Sequence, residues 1–96
     1  MLPNFQFKSK LWIYDGPAAW HFITVPKKIS AHIKTMALTQ RGFGSVKVQV
    51  TIGRSVWSTS IFPDKSKHYL LPIKSQVRKT ELLKTGQLIK VGLKII

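Results

Sequence analysis

Phe5, Phe7, Leu11 and Ile13 share one parity along the chain, interrupted by Ser9, while Gln6, Lys8, Lys10, Trp12 and Tyr14 hold the other. A period of two is the pattern of a half-buried strand, so a first strand is expected over about 4–14. Asp15-Gly16-Pro17 then supplies turn chemistry, and the aromatic and β-branched run Trp20-His21-Phe22-Ile23-Thr24-Val25, stopped by Pro26, predicts a second strand. From Lys27 the period changes. Ile29, Ile33, Met36 and Ala37 fall at i, i+4, i+7 and i+8, with Lys27, Lys28, Ser30, Lys34 and Thr35 between them, which predicts a helix of about ten residues.

After a loop at Gln40-Arg41-Gly42-Phe43-Gly44, Val46, Val48, Val50 and Ile52 alternate with Ser45, Lys47, Gln49 and Thr51 in a clean strand whose Lys faces outward. Gly53-Arg54 reads as a two-residue hairpin turn with Gly in the first central position, leading into a strand over Val56 to Phe62. Pro63-Asp64-Lys65-Ser66-Lys67 is a second turn, His68-Tyr69-Leu70-Leu71 a short strand ended by Pro72, and Ser75 to Leu82 a short helix that needs tertiary contacts to persist. Thr85-Gly86 stops it. Ile89, Val91, Leu93 and Ile95 alternate with Lys90, Gly92 and Lys94 in the last strand.

Each half of the chain thus holds an apolar run ending in Pro, then Lys, a short helix, a Gly-containing loop and an alternating strand with Lys on its solvent parity. The expected architecture is mostly β, a small closed barrel of about six or seven strands capped by two short helices, with a pseudo-twofold relation between the halves. The residues expected to share its core are Phe7, Ile13, Phe22, Ile33, Val48, Val50, Trp57, Leu70, Val77, Val91 and Leu93. With 96 residues, 1–96 is expected to form a single domain.

Charge changes the functional picture. Sixteen Lys and Arg oppose three acids, Asp15, Asp64 and Glu81, for a net charge of +13. Such a field attracts nucleic acid, another polyanion or an acidic protein. All but Arg41, Arg54 and Arg78 of these cations are Lys, a solvated point charge rather than a fork that reads bases. The scarcity of acids disfavours carboxylate metal sites and paired-carboxylate hydrolysis, and the absence of cysteine removes disulfides and thiolate chemistry. His21, His32 and His68 have no metal-ligand spacing, so no metal, cofactor or catalytic residue is expected. No stretch is apolar enough to span a bilayer and no export signal opens the chain, which leaves a cytoplasmic location as the expectation.

Several words in the chain carry a family resemblance: Leu11-Trp12, Gly16-Pro17-Ala18-Ala19-Trp20-His21-Phe22, Val25-Pro26, Gly42-Phe43-Gly44, Val50-Thr51-Ile52-Gly53, Trp57-Ser58-Thr59-Ser60-Ile61-Phe62-Pro63, and Leu71-Pro72-Ile73-Lys74 through Val77-Arg78-Lys79. Together they resemble the prokaryotic family called domain of unknown function 1905. The resemblance implies a double-split β-barrel similar to that of swapped-hairpin transcription regulators, and it implies no activity. Pro72-Ile73-Lys74-Ser75-Gln76-Val77-Arg78 followed by Thr85-Gly86 also resembles the half-barrel word of those regulators, from which Gln87 departs, since that word has Asp after the Gly.

Two sets of candidate residues follow. The first is basic: Arg41, Arg54, Lys74, Arg78 and Lys79, with Lys27 and Lys28 as secondary contacts, for DNA, RNA or another polyanion. Lys27, Lys28 and Lys74 open helices, where cations oppose the helix dipole and so are not placed for helix stability; against this, exposed Lys at a helix start costs little and stays solvated. The second is an aromatic and hydroxyl cleft of Trp20, His21, Trp57, Thr59 and Ser60 for a small ligand or a protein, with the charge as background. On strands, however, Trp20 and Trp57 more often fill a barrel interior, and the hydroxyls more often tie down neighbouring backbone.

Overall fold

The computed structural model describes residues 4–37 and 44–96. Eight elements follow one another: β1 (Asn4–Ile13), β2 (His21–Thr24), α1 (Lys27–Ala37), β3 (Val46–Ile52), β4 (Ser55–Pro63), β5 (Tyr69–Pro72), α2 (Ser75–Thr80) and β6 (Leu88–Ile95). The six strands close into an antiparallel barrel in the order β1-β2-β5-β4-β3-β6. Arg41 and the Gly42-Phe43 part of the expected loop lie outside the described residues.

The barrel closes because two long strands each serve two neighbours. Asn4 to Lys10 of β1 pairs with β6, and Leu11 to Ile13 pairs with β2. In the second half, Ser55 to Ile61 of β4 pairs with β3, and only Phe62 and Pro63 pair with β5. The registers are related by a pseudo-twofold. Leu11↔Ile23 corresponds to Pro63↔Tyr69, and Phe7↔Val91 to Thr59↔Val48, so β1-β2-α1-β3 repeats as β4-β5-α2-β6. The halves meet through four ladders, β1–β6, β3–β4, β2–β5 and β3–β6, of which the last two are their own equivalents under the pseudo-twofold.

Alternation carries the core. Val46, Val48, Val50 and Ile52 of β3 and Ile89, Val91, Leu93 and Ile95 of β6 are all buried. Phe7 and Leu11 join them from β1, Ile33 from α1 and Val77 from α2. Four core expectations are corrected. Ile13 has the inward parity but ends β1 at the rim and is 45% exposed. Phe22 and Leu70 face outward, because Ile23 and Val25, and Tyr69 and Leu71, take the interior of β2 and β5. Trp57 is half-buried, because β4 has no strand partner on its second side there.

Ser30, buried at 1% exposure, is a polar residue that ties the halves. Its hydroxyl donates to the Val25 carbonyl (3.0 Å) and accepts from the Tyr69 N–H (3.0 Å), joining α1 to β2 and β5. Helix α2 is shorter than the sequence pattern suggests. Leu82 takes φ +55°, and Leu83 N–H bonds Arg78 C=O while Leu82 N–H bonds Lys79 C=O, a Schellman arrangement that stops the helix. Gly53 turns β3 into β4 with φ +58°, and a Cβ there would run into the Glu81 carboxylate.

Candidate functional site

The outer face of the sheet β1-β6-β3 gathers lysines from both ends of the chain. Outward positions are Asn4, Gln6, Lys8 and Lys10 on β1, Leu88, Lys90, Gly92 and Lys94 on β6, and Lys47, Gln49 and Thr51 on β3. Cross-strand registers bring Lys8 opposite Lys90, Asn4 and Gln49 to either side of Lys94, and Gln6 and Thr51 to either side of Gly92. Gly92 leaves a shallow depression of about 660 Å³ between Lys90 and Lys94, ringed by Asn4, Gln6, Gln49 and Thr51. Amide and hydroxyl groups therefore stand beside the ammonium groups, with no acid on this face among the described residues.

Two of the three acids, Glu81 and Asp64, are engaged beside turns. Glu81 accepts a 2.6 Å hydrogen bond from the Ser55 hydroxyl beside the β3–β4 turn. Asp64 accepts from the N–H groups of Ser66 and His68 and from the Ser66 hydroxyl, closing the loop before β5. Burial opposes ionisation of Asp64, yet the His68 and Ser66 donors and the charge of His68 outweigh it and hold the carboxyl below its usual 3.8. Among the described residues, no lysine side chain is hydrogen-bonded or ion-paired, whereas Arg78 makes two side-chain hydrogen bonds.

Arg78 donates from Nε to the Ile73 carbonyl (3.2 Å) and from Nη1 to His21 Nε2 (3.1 Å). A guanidinium can only donate, so His21 Nε2 accepts and the neutral ring carries its proton on Nδ1, a buried atom with no protein partner among the described residues. These two residues, placed in separate candidate sets by the sequence, form one structural contact at the barrel end capped by α2.

Arg54 and Lys74 do come together. They line a depression of about 340 Å³ between β4 and α2 with Ser55, Trp57, Gln76 and Thr80. Trp57 and Lys74 also line a neighbouring depression of about 220 Å³, completed by Trp20, Ser58, Thr59 and Pro72. The two adjoin along β4 as a groove in two parts, with Trp57 and Lys74 shared between them. It unites Trp20, Trp57 and Thr59 of the expected cleft with Arg54 and Lys74 of the basic set, while His21 and Ser60 do not line it. Lys79 is exposed in the last turn of α2, and Lys27 and Lys28 are exposed at the start of α1, lining neither surface.

Beside the groove, the outer face of β2–β5 is aromatic. Trp20 stacks on Phe22 (6.1 Å between centroids, 11° between planes), and Phe22 meets Trp12 at 5.3 Å. Trp12 Nε1 donates to Thr24 Oγ1 at 2.9 Å. This ladder holds Trp20 at the groove's edge although it is 54% exposed.

The lysine face is the feature that sequence reasoning places only in part. Lys47, Lys90 and Lys94 have the outward parity of alternating strands, but their juxtaposition with Lys8 depends on the pairing of the first strand with the last. Among the described residues there is no group of three or more His, Asp or Glu that would hold a metal ion, and no helix is long and apolar enough to cross a membrane.

A small closed antiparallel barrel with one cationic sheet face and one aromatic groove is thus the class that fold and surface define. The family model described as a domain of unknown function, DUF1905, matches residues 7–93, and the chain belongs to that family. No curated protein sequence matches it.

Proposed function

We propose that this barrel is a non-enzymatic module that binds the phosphate backbone of nucleic acid on the outer face of β1-β6-β3. One observation carries this reading: Lys8, Lys10, Lys47, Lys90 and Lys94 share a face without a single acid or ion-pair partner among the described residues. Like charges placed directly opposite in a ladder destabilise a sheet, so Lys8 facing Lys90 is a cost to the fold that a bound anion would relieve. Asn4, Gln6, Gln49 and Thr51 add uncharged donors around the Gly92 depression, suited to phosphate oxygens.

The chemistry favours backbone over base recognition. Ammonium groups act as point charges, and among the described residues the face presents no aromatic ring for stacking and no guanidinium for bidentate contact with guanine. Binding is therefore expected to be insensitive to sequence and steeply dependent on salt. Arg54 and Lys74, in the groove on the far edge of β4, lend long-range attraction rather than direct contact with the same strand.

Fluorescence anisotropy of labelled oligonucleotides, single-stranded and duplex, at about 50 mM salt tests the reading. The expected result is saturable binding that is nearly equal for unrelated sequences and lost at about 200 mM salt. Flat traces at tens of micromolar protein would overturn it.

A further inference from the structure

The pseudo-twofold shows where the barrel is incomplete. Phe5 of β1 and Trp57 of β4 occupy equivalent positions, paired with Leu93 and Val50 in equivalent ladders. In the first half the following helix has eleven residues, and its His32 ring meets Phe5 edge-on at 5.5 Å. In the second half the helix has six residues, and Trp57 has no ring partner among the described residues; it lines the groove instead.

The backbone of β4 is open along the same groove. Ser55 to Ile61 pairs with β3 on one side, and the pairing with β5 on the other begins only at Phe62. In a ladder closed by a two-residue turn at Gly53-Arg54, the residues pairing through hydrogen bonds alternate outward from Ile52↔Ser55. Val56, Ser58 and Ser60 therefore point their N–H and C=O groups away from β3, toward the side where α2 and the end of β5 lie. Such a row of donors and acceptors, repeating about every 7 Å, is a template for another extended chain.

The geometry points to a β-strand addition site: an extended, acidic segment of a partner protein pairs with β4 along Val56 and Ser58, between β4 and α2, and runs on along the open edge past the groove to Ser60. Its acidic side chains reach Arg54 and Lys74, both without an ion pair among the described residues, and its apolar side chains cover Trp57 and Trp20. A peptide fits this edge better than a nucleic-acid strand, because phosphates offer acceptors only and would leave the β4 carbonyls unmet. Two adjoining depressions that share Trp57 and Lys74 also suit an extended strand better than a single compact ligand. The site is separate from the lysine face, so either can exist without the other.

A fluorescein-labelled synthetic octapeptide of alternating glutamate and valine is the probe, with a lysine–valine octapeptide, an N-methylated glutamate–valine octapeptide and adenosine monophosphate as comparisons. Anisotropy of the whole chain is expected to show saturable binding of the first peptide only, with slowed amide exchange at Val56, Ser58 and Ser60 on binding. Lys74→Glu together with Arg54→Glu is expected to weaken it at least about tenfold. Ser58→Pro removes a groove-facing N–H without touching the β3 ladder and is expected to abolish it; the N-methylated peptide removes the matching bonds from the other partner should that variant fail to fold. Lys8→Glu with Lys90→Glu is expected to leave the exchange protection at Val56, Ser58 and Ser60 in place. Equal binding of the N-methylated peptide, no peptide binding at millimolar concentration, or protection of these amides by the nucleotide instead would overturn the assignment.

Discussion

Lys8 on β1 and Lys90 on β6 stand directly opposite each other in an antiparallel ladder, on the same outer face of the barrel. Directly opposed side chains in such a ladder have Cβ atoms about 5 Å apart, close enough for like charges to repel even in water. This pair joins the first strand to the last, so the barrel's closure and the concentration of its charge are the same structural event.

Replacing one member separates stability from binding. Lys8→Glu converts a like-charge pair into an opposite one and is expected to raise unfolding free energy by roughly a few tenths of a kcal/mol, the range of exposed pairs. The same substitution should weaken oligonucleotide binding severalfold. Urea denaturation and anisotropy on one preparation read both; a loss of stability alongside unchanged binding would contradict the placement of this pair on a phosphate-binding face.

Parity gives a sharper contrast. Val48 and Val91 are fully buried, so Val48→Asp or Val91→Asp places an unpaired charge among apolar walls at a cost of several kcal/mol, against a total stability of about 5–15. The cooperative thermal transition should disappear. Lys47→Asp and Lys90→Asp, one residue away on the exposed side, should leave it nearly unchanged.

That contrast also marks how far the sequence can be read. β3 and β6 alternate cleanly because one face is core and the other water, and their pattern alone assigns every inward residue. β2 and β5 are apolar on both parities: Phe22 lies beside Ile23, and Leu70 beside Leu71, since the outer face there carries the aromatic ladder with Trp12 and Trp20. Hydrophobicity cannot choose a parity for such strands, which is why the pattern alone misplaces Phe22 and Leu70 inward. The repeat of run, Pro, Lys, helix and strand is legible and corresponds to the pseudo-twofold of the registers. The engagement of Arg78 with His21, 57 positions away, has no local signature.

Leu82 is a site where substitution should help. It is 78% exposed and sits at φ +55°, the left-handed position after α2 that glycine occupies without penalty. Leu82→Gly is expected to stabilise the barrel by about 1 kcal/mol. A shift of the denaturation midpoint to lower urea would show that the Leu82 side chain contributes packing that outweighs its backbone strain.

The pH dependence follows from two groups. Asp64 is held below its usual 3.8, so its contribution is present above that value and is lost as pH falls through its folded pKa. Burial raises the Tyr69 hydroxyl above its usual 10.0, so its contribution is full below pH 10 and is lost as pH rises through its folded pKa. For these two groups stability should be level between about pH 5 and 9 and decline on either side. Asp64→Asn should flatten the acid limb while leaving the alkaline limb, as followed by thermal melts across pH.

The salt dependence of nucleic-acid binding tests the lysine face most directly. Lys8→Gln, Lys90→Gln and Lys94→Gln combined remove three positive charges from the sheet face while leaving Arg54 and Lys74 in place. The slope of log K against log salt for duplex DNA should become shallower by nearly three, at about 0.9 for each phosphate no longer neutralised. A slope unchanged from that of the parent chain would show that the phosphates sit elsewhere.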